Sequence, residues 1–272
     1  MNNKIYKLSI IGATGRMGRM LIRAALENKD FHLVGLIESK GHDLIGTKAC
    51  DLFVDLKENL VVSDSLERIL KISDVVIDFT NPENSVNVAE QASKFKVVDV
   101  IGTTGFSKSQ LKKIEKASKK TTIIRAGNMS LGVNILTGIA EKVAEALDSD
   151  FDIEIVERHH NNKADAPSGT ALMLGTSIAK AKGKTLEKLK DSPRDGIIGP
   201  RKKGKIGFSV VRGGDIIGNH SVIFAGLGEQ ITIEHNATDR MIFARGALKA
   251  AKWGMMTGKK GEYSMLDVLN LN

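Results

Sequence analysis

The stretch ERHHNNKADAPSGTA, Glu157 to Ala171, sets two adjacent histidines and a lysine just ahead of a Pro-Ser-Gly-Thr turn. A histidine can donate a proton near neutral pH, and a lysine brings a positive charge with three donors. His159 or His160 together with Lys163 therefore suits an anionic substrate that must gain a proton. The turn adds an anion-binding element of its own. Pro167 fits the first turn of a helix, which would leave the N–H groups of Ser168, Gly169 and Thr170 free at its positive end, an arrangement suited to a carboxylate. Gly169 carries no side chain to block that approach. A metal is not expected, because His-His-x-x-Lys lacks the i, i+4 histidine pair of a zinc helix and lysine is not a usual ligand. Taken singly, either histidine could equally be a satisfied polar residue in a capping turn; the combination is what points to chemistry.

A second group of residues lies near the start. IIGATGRMG places Gly12, Gly15 and Gly18 between an apolar run and a helical pattern, a G-x-x-G-x-x-G spacing with Thr14 where the commoner motif has its middle glycine. The physics tolerates the change: Gly12 permits the tight turn, Gly15 lets a pyrophosphate approach backbone, and Gly18 lets the helix approach the sheet. Glu38 ends the next strand, where an acid can accept the ribose hydroxyls of NAD; Arg16 and Lys40 could tolerate the extra phosphate of NADP. IGTTGF puts Gly102, Thr103 and Thr104 at another strand end, placed either to meet the nicotinamide or simply to turn the chain.

The elements that must position these residues follow from periodicity. YKLSIIG, FHLVGLIE, DVVIDFT, KVVDVIGTTG and TTIIRAG read as strands, separated by helical patterns beginning near Arg16, Glu83 and Ser107. That alternation predicts a parallel sheet wound on both faces. After Asn128 the grammar changes to a long helix, the strand FDIEIVERHH, a helix from SGTALMLGTSIAKAKG, then KIGFSVVRGGD, IIGNHSVIFAG and EQITIEHNA joined by Gly-rich breaks. An antiparallel or mixed sheet is expected there. The last helix, Asp239 to Met255, could return to the first domain. The expected division is 1–129 as a dinucleotide-binding domain completed by 240–272, and 130–239 as an α+β domain for substrate binding and oligomerisation.

Composition bounds the function classes. The chain has 272 residues, 42% hydrophobic and 26% charged, ample for two ordinary domains, and its 4 prolines argue against long disordered linkers. No apolar run reaches the roughly 20 residues of a membrane span, and the start lacks a signal-type apolar region, so a cytoplasmic location and no membrane partner are expected. The single cysteine, Cys50, has no neighbouring histidine and reads as a small packing residue, which disfavours a thiolate enzyme such as a semialdehyde dehydrogenase. The net charge of +8 suits small anions or a polyanion. Its densest run, GPRKKGK, has no interleaved aromatics; it reads as a solvated loop before a nucleic-acid contact, or as a loop near an anionic site. A catalytically idle dinucleotide-binding regulator that recruits nucleic acid is the alternative from another class.

ERHHNNKADAPSGTA closely resembles the E-x-H-H-x-x-K-x-D-A-P-S-G-T-A motif of the 4-hydroxy-tetrahydrodipicolinate reductases, and GATGRMG, DFTNPE, GTTGF, AGNMSLGVN, RGGDIIGNH and DRMIFARGAL fall in that family's order. The resemblance implies a Rossmann domain plus an inserted α+β domain that builds a homotetramer, and reduction of a small dicarboxylate by NADH or NADPH on the diaminopimelate route to lysine. It implies His159 and Lys163 as proton donors and His160, Gly169 and Thr170 as carboxylate ligands, to which the reading of the turn as a helix start adds Ser168. Nucleotide contacts would fall on Gly12, Ala13, Thr14, Gly15, Arg16 and Met17, on Glu38, on Gly102 to Thr104, and on Ala126, Gly127, Asn128 and Met129. Members with dual cofactor use often carry arginine after the acid. Ser39 stands there instead, so NADH is the expected preference.

Overall fold

The computed structural model describes residues 4–54, 56 and 59–271. It divides into two units, one within Met1–Ser130 and Met241–Asn270, the other mainly Leu131–Arg240. The first unit begins with β1 (Tyr6–Ile11), α1 (Arg16–Leu26), β2 (Phe31–Ile37), α2 (Ala49–Leu52), β3 (Val62–Ser63) and α3 (Leu66–Leu70). It continues with β4 (Val75–Asp78), α4 (Pro82–Phe95), β5 (Val98–Ile101), α5 (Lys108–Ser118) and β6 (Thr122–Arg125). The second unit holds α6 (Leu131–Ala146), β7 (Asp152–His159), α7 (Gly169–Ala181), α8 (Leu186–Leu189), β8 (Lys190–Asp191), β9 (Ile206–Arg212), β10 (Gly218–Gly226) and β11 (Glu229–Ala237). The chain then returns to the first unit through α9 (Met241–Thr257), β12 (Gly261–Tyr263) and α10 (Met265–Val268).

In the first unit every strand pairing is parallel, in the order β12-β6-β5-β4-β1-β2-β3. The strands are almost continuously apolar because helices cover both faces and no side of the sheet is left to water. Leu8, Ile10, Val76, Ile77, Val100 and Ile124 are buried completely. The chain leaves β1 in one direction for β2 and β3 and in the other for β4 to β6, so β1 and β4 flank the topological switch point at which such sheets bind ligands. The carboxyl ends are level: Ile11 lies beside Ile37 and Asp78, Asp78 beside Ile101, and Ile101 beside Arg125. At about 4.8 Å per strand, the loops after β2 and β6 stand roughly 20 Å apart along this edge. Helix α9 packs on α1 and on β4 to β6 through a stripe of small residues, Ala244, Gly246, Ala247, Ala250, Ala251 and Gly254, all buried.

The second unit is built on a five-stranded mixed sheet, β11-β10-β7-β9-β8, in which β10 runs antiparallel to β7 and β11 while β9 runs parallel to β7 and β8. Thus β9 and β10, neighbours in sequence, lie on opposite sides of β7. Burial along β7 alternates strictly, with Ile153, Ile155, Glu157 and His159 facing the helices. There α6 and α7 bury Leu136, Ala140, Leu174 and Ile178 against Ile153, Ile155, Phe208, Val222 and Phe224. The opposite face stays partly open, with Val211 44% exposed and Val156 and Ile223 half-buried. The basic run is not simply solvated. Arg201 donates to Glu154, Asp152 and the carbonyls of Ile153 and Lys205, and Lys205 donates to the carbonyl of Lys188. These anchors grip the start of β7, about 17 Å of extended strand from His159 at its end.

Candidate active site

Strand β7 delivers Glu157 and His159 to one face and stops there, so His160 leaves the strand direction as its N–H donates to the carbonyl of Ile216 at 2.7 Å. The Gly-Gly turn after β9 supports the loop: Gly213 N–H donates to the carbonyl of His159 and Asn161 N–H to that of Gly214. Side by side with β7, β9 places Arg212 next to His159 and β10 places His220 next to Glu157. One sheet face thereby collects a carboxylate, a guanidinium and two imidazoles.

The Glu157 side chain is the hub. It is fully buried and accepts from Arg212 Nη1 and Nη2 at 2.8 Å each, from the N–H of Ser168 at 2.9 Å, and meets Nδ1 of His159 at 2.5 Å. Burial pushes its carboxyl up, but the hydrogen bonds from Arg212, His159 and Ser168 outweigh that and hold it below the ordinary carboxylate value. For His159, burial pulls the imidazole below its ordinary value while Glu157 pushes the other way. His220 packs edge-on against the His159 ring at 5.1 Å and is lowered to about 4, chiefly by burial, so it is neutral at physiological pH. Lys163 reaches Asp165 Oδ1 at 2.7 Å, with the lysine mostly covered and Asp165 exposed.

The helix start departs from the sequence reading. Pro167 precedes the cap instead of occupying the first turn: α7 begins at Gly169 with Ser168 as its N-cap, its Oγ accepting from Ala171 N–H at 3.2 Å. The N–H of Ser168 is committed to Glu157, and its hydroxyl also meets His220 Nε2 at 3.1 Å. Ser168 is therefore internal machinery, 2% exposed, and not a free anion donor. Gly169 is exposed and Thr170 half-buried at the same helix end. Glu157, Arg212 and His220 were not singled out from the sequence. The alternation Ile153, Ile155, Glu157, His159 gave a signal for Glu157, since a buried acid on an apolar face needs a partner; nothing local signals Arg212, 55 residues away.

In the first unit the glycine turn has the shape its spacing implies. Gly12 has φ +70°, and a Cβ there would lie 2.8 Å from Thr80 Cγ2, while a Cβ on Gly18 would collide with the carbonyls of Gly12 and Ala13. Helix α1 starts at Arg16 with no side-chain cap and no acid in its first turn, which leaves its positive end to an anion. Ala13 is buried, and Arg16 is exposed and Met17 half-buried on α1. The Oε1 of Glu38 accepts from Thr14 N–H at 2.7 Å and from Thr14 Oγ1 at 2.8 Å, tying the acid to the turn. A cavity of about 310 Å³ opens beside them, lined by Gly12, Glu38, Ser39, Thr80, Asn81 and Asn84 among others. The loop after β5 comes against the loop after β6: Ala126 N–H donates to the carbonyl of Ile101, and Gly127 lies by Thr104. The side chain of Thr103 turns inward to Ser85 and Met129 is buried, so of these segments Thr104 and Gly127 face solvent, with Gly102, Ala126 and Asn128 half-buried. The structure thus groups Gly12 to Met17 with Glu38, and Gly102 to Thr104 with Ala126 to Met129, along one sheet edge. Among the described residues there is no group of three or more His, Cys, Asp or Glu able to hold a metal, and no helix long and apolar enough to cross a membrane.

Two family models match this chain in succession. Residues 6–129 match the family model for the dihydrodipicolinate reductase N-terminus, and residues 132–269 that for its C-terminus. A 4-hydroxy-tetrahydrodipicolinate reductase from Ruegeria sp. (strain TM1040) is 50% identical over 263 residues, 96% of this chain and 97% of the relative. One from Cereibacter sphaeroides is 51% identical over 262 residues, again 96% and 97%. The dipicolinate-bound dihydrodipicolinate reductase from Paenisporosarcina sp. TG-14 superposes with a TM-score of 0.78 at 25% identity, covering 97% of this chain and 98% of that one. Matches this extensive, through both halves, mean that the chain belongs to the dihydrodipicolinate reductase family.

Proposed function

We infer that this protein reduces 4-hydroxy-tetrahydrodipicolinate to tetrahydrodipicolinate with NAD(P)H, the step of the diaminopimelate route that its relatives are named for. The observation that carries the reading is the agreement between that near-full-length likeness and a site with a buried imidazole, a lysine and a helix N-terminus within 12 residues of chain. When bound, a nicotinamide dinucleotide supplies the hydride; the ring loses water and must receive one proton. His159 delivers that proton, with Lys163 as a second donor that also neutralises a substrate carboxylate. His160, Gly169 and Thr170 hold the carboxylates, the role the sequence also gave to Ser168, whose N–H and hydroxyl are instead engaged with Glu157 and His220. The dipicolinate named with the Paenisporosarcina relative is a flat dicarboxylate of this kind.

The uncapped start of α1, Gly12 to Met17, receives the pyrophosphate, Glu38 the adenosine ribose, and Gly102 to Thr104 with Ala126 to Met129 the nicotinamide end. NADH is preferred, because Glu38 repels a 2′-phosphate and Ser39 offers it no charge, while exposed Lys40 allows some NADPH. The protein works in the cytoplasm as a homotetramer built through the partly open face of the mixed sheet; sedimentation velocity giving a monomer at micromolar concentration would remove the assembly. The test of the function follows loss of reduced-cofactor absorbance with substrate made in situ by a synthase, for NADH and then NADPH. His159→Ala and Lys163→Ala should each lower kcat by about 10²–10⁴-fold with NADH binding unchanged. Wild-type turnover in both variants would sink the assignment.

A further inference from the structure

We propose that Glu157, held by Arg212, is the positioning residue of this site: it fixes His159 with the proton on Nδ1 and leaves Nε2 as the nitrogen that serves the substrate. The proposal rests on the function inferred above and extends it to two residues which that reading does not use. Its ground is geometric. Glu157 is fully buried, and an ionised carboxylate without partners would be strongly disfavoured there. It has four contacts, two from the Arg212 fork, one from the N–H of Ser168 and one from His159 Nδ1, and the first three groups can only donate. An acceptor so surrounded stays ionised, and an ionised carboxylate leaves His159 Nδ1 one role, that of donor. Arg212 belongs to β9 and Ser168 to the cap of α7, so the carboxylate is clamped between three elements and the imidazole inherits its orientation.

The other ring nitrogen is kept clear. Gly218, at the start of β10, lies so close that a Cβ there would sit 2.9 Å from His159 Nε2, so any side chain at this point would cover the nitrogen or push the ring aside. The charged and titratable groups around the ring are Glu157 on its own strand, Arg212 on β9, His220 on β10 and Lys163 in the following loop. Glu157 alone among them favours the imidazolium that a proton donor must be; Arg212, Lys163 and burial oppose it. Removing the carboxylate should therefore cost the charged form as well as the orientation.

Two measurements test this. In wild-type protein, ¹⁵N NMR of the histidines above the His159 titration should show the Nδ1–H form of His159; the Nε2–H form would overturn the proposal, and this arm needs neither substrate nor a folded variant. In Glu157→Gln, kcat/KM should fall at least about tenfold, part of what a positioned acid supplies, and its alkaline limb should move to lower pH by about one unit or more. Glu157→Asp, which keeps the charge, should be slower than wild type with its limb near the wild-type position. A limb that does not move in Glu157→Gln, whatever the drop in rate, would show a merely structural role and overturn the proposal. Absence of wild-type turnover would instead strike the function reading and leave the NMR result to decide on Glu157.

Discussion

Lys163 already has an anion, since Asp165, two residues on, takes its ammonium at 2.7 Å. Lys163 first, then Asp165's own backbone N–H and that of Gly169, draw Asp165 below the ordinary carboxylate value, so the side chain stands on the two groups assigned to a substrate carboxylate. A dicarboxylate must displace it. Because Asp165 is exposed, the pair is worth only about 0.2–1 kcal/mol, and Asp165→Asn should lower KM for the dicarboxylate by up to about fivefold with kcat nearly unchanged. Initial rates over a substrate series check this, and a KM that rises would mean that Asp165 aims Lys163 instead of competing for it. At this scale the side chains proposed to react were legible in the sequence, because His-His-x-x-Lys before a helix start is a local pattern. Their supports were not, because Arg212 and His220 reach Glu157 and Ser168 only through strand register, which no short window of sequence contains.

At the scale of elements, α9 shows what close packing asks of a helix. A Cβ on Gly246 would lie 1.7 Å from the carbonyl oxygen of Met129, so Gly246→Ala must push α9 away from the segment 126–130 or displace that segment. Overpacking of this kind costs typically about 1–3 kcal/mol, and the displaced backbone is the one assigned to the nicotinamide end. Both a lower thermal midpoint and weaker NADH binding by fluorescence titration are expected; a stable variant with normal NADH affinity would show that the segment yields freely. The parallel strands β1, β2 and β4 to β6 and the main helices were readable from apolar runs and 3.6-residue periodicity, because burial on both faces of these strands leaves a continuous apolar signal. The short strands β3, β8 and β12 and the single-turn helices carried no such signal. Nor did the sequence reveal that β9 sits across β7 from β10: hairpin grammar favours neighbours, and the β10–β11 hairpin obeys it, but β9 is placed by burial of Ile206 and Phe208 against α7 and the core.

For the whole molecule, stability against pH is set by carboxylates in opposite environments. Glu157 is held below its ordinary value, so its contribution is present above the unfolded carboxylate range and lost as pH falls through the folded value. Asp99, in the middle of β5, is the reverse case: fully buried, with neither side-chain oxygen partnered, it is raised well above its ordinary value by burial and secondarily by Asp78. Folded Asp99 keeps its proton after the unfolded chain has lost it, so the folded state is penalised progressively as pH rises above about 4, the unfolded value. The two windows barely overlap, which makes the second one measurable by difference. Asp99→Asn keeps the shape and removes the ionisation, so its thermal midpoint relative to wild type should be level near pH 4 and pull ahead as pH rises toward 8. Each kcal/mol of that difference corresponds to about 2–4 °C in a chain of this size class. Parallel midpoint curves across that range would mean that Asp99 ionises as easily folded as unfolded, which would require water to reach the centre of the parallel sheet.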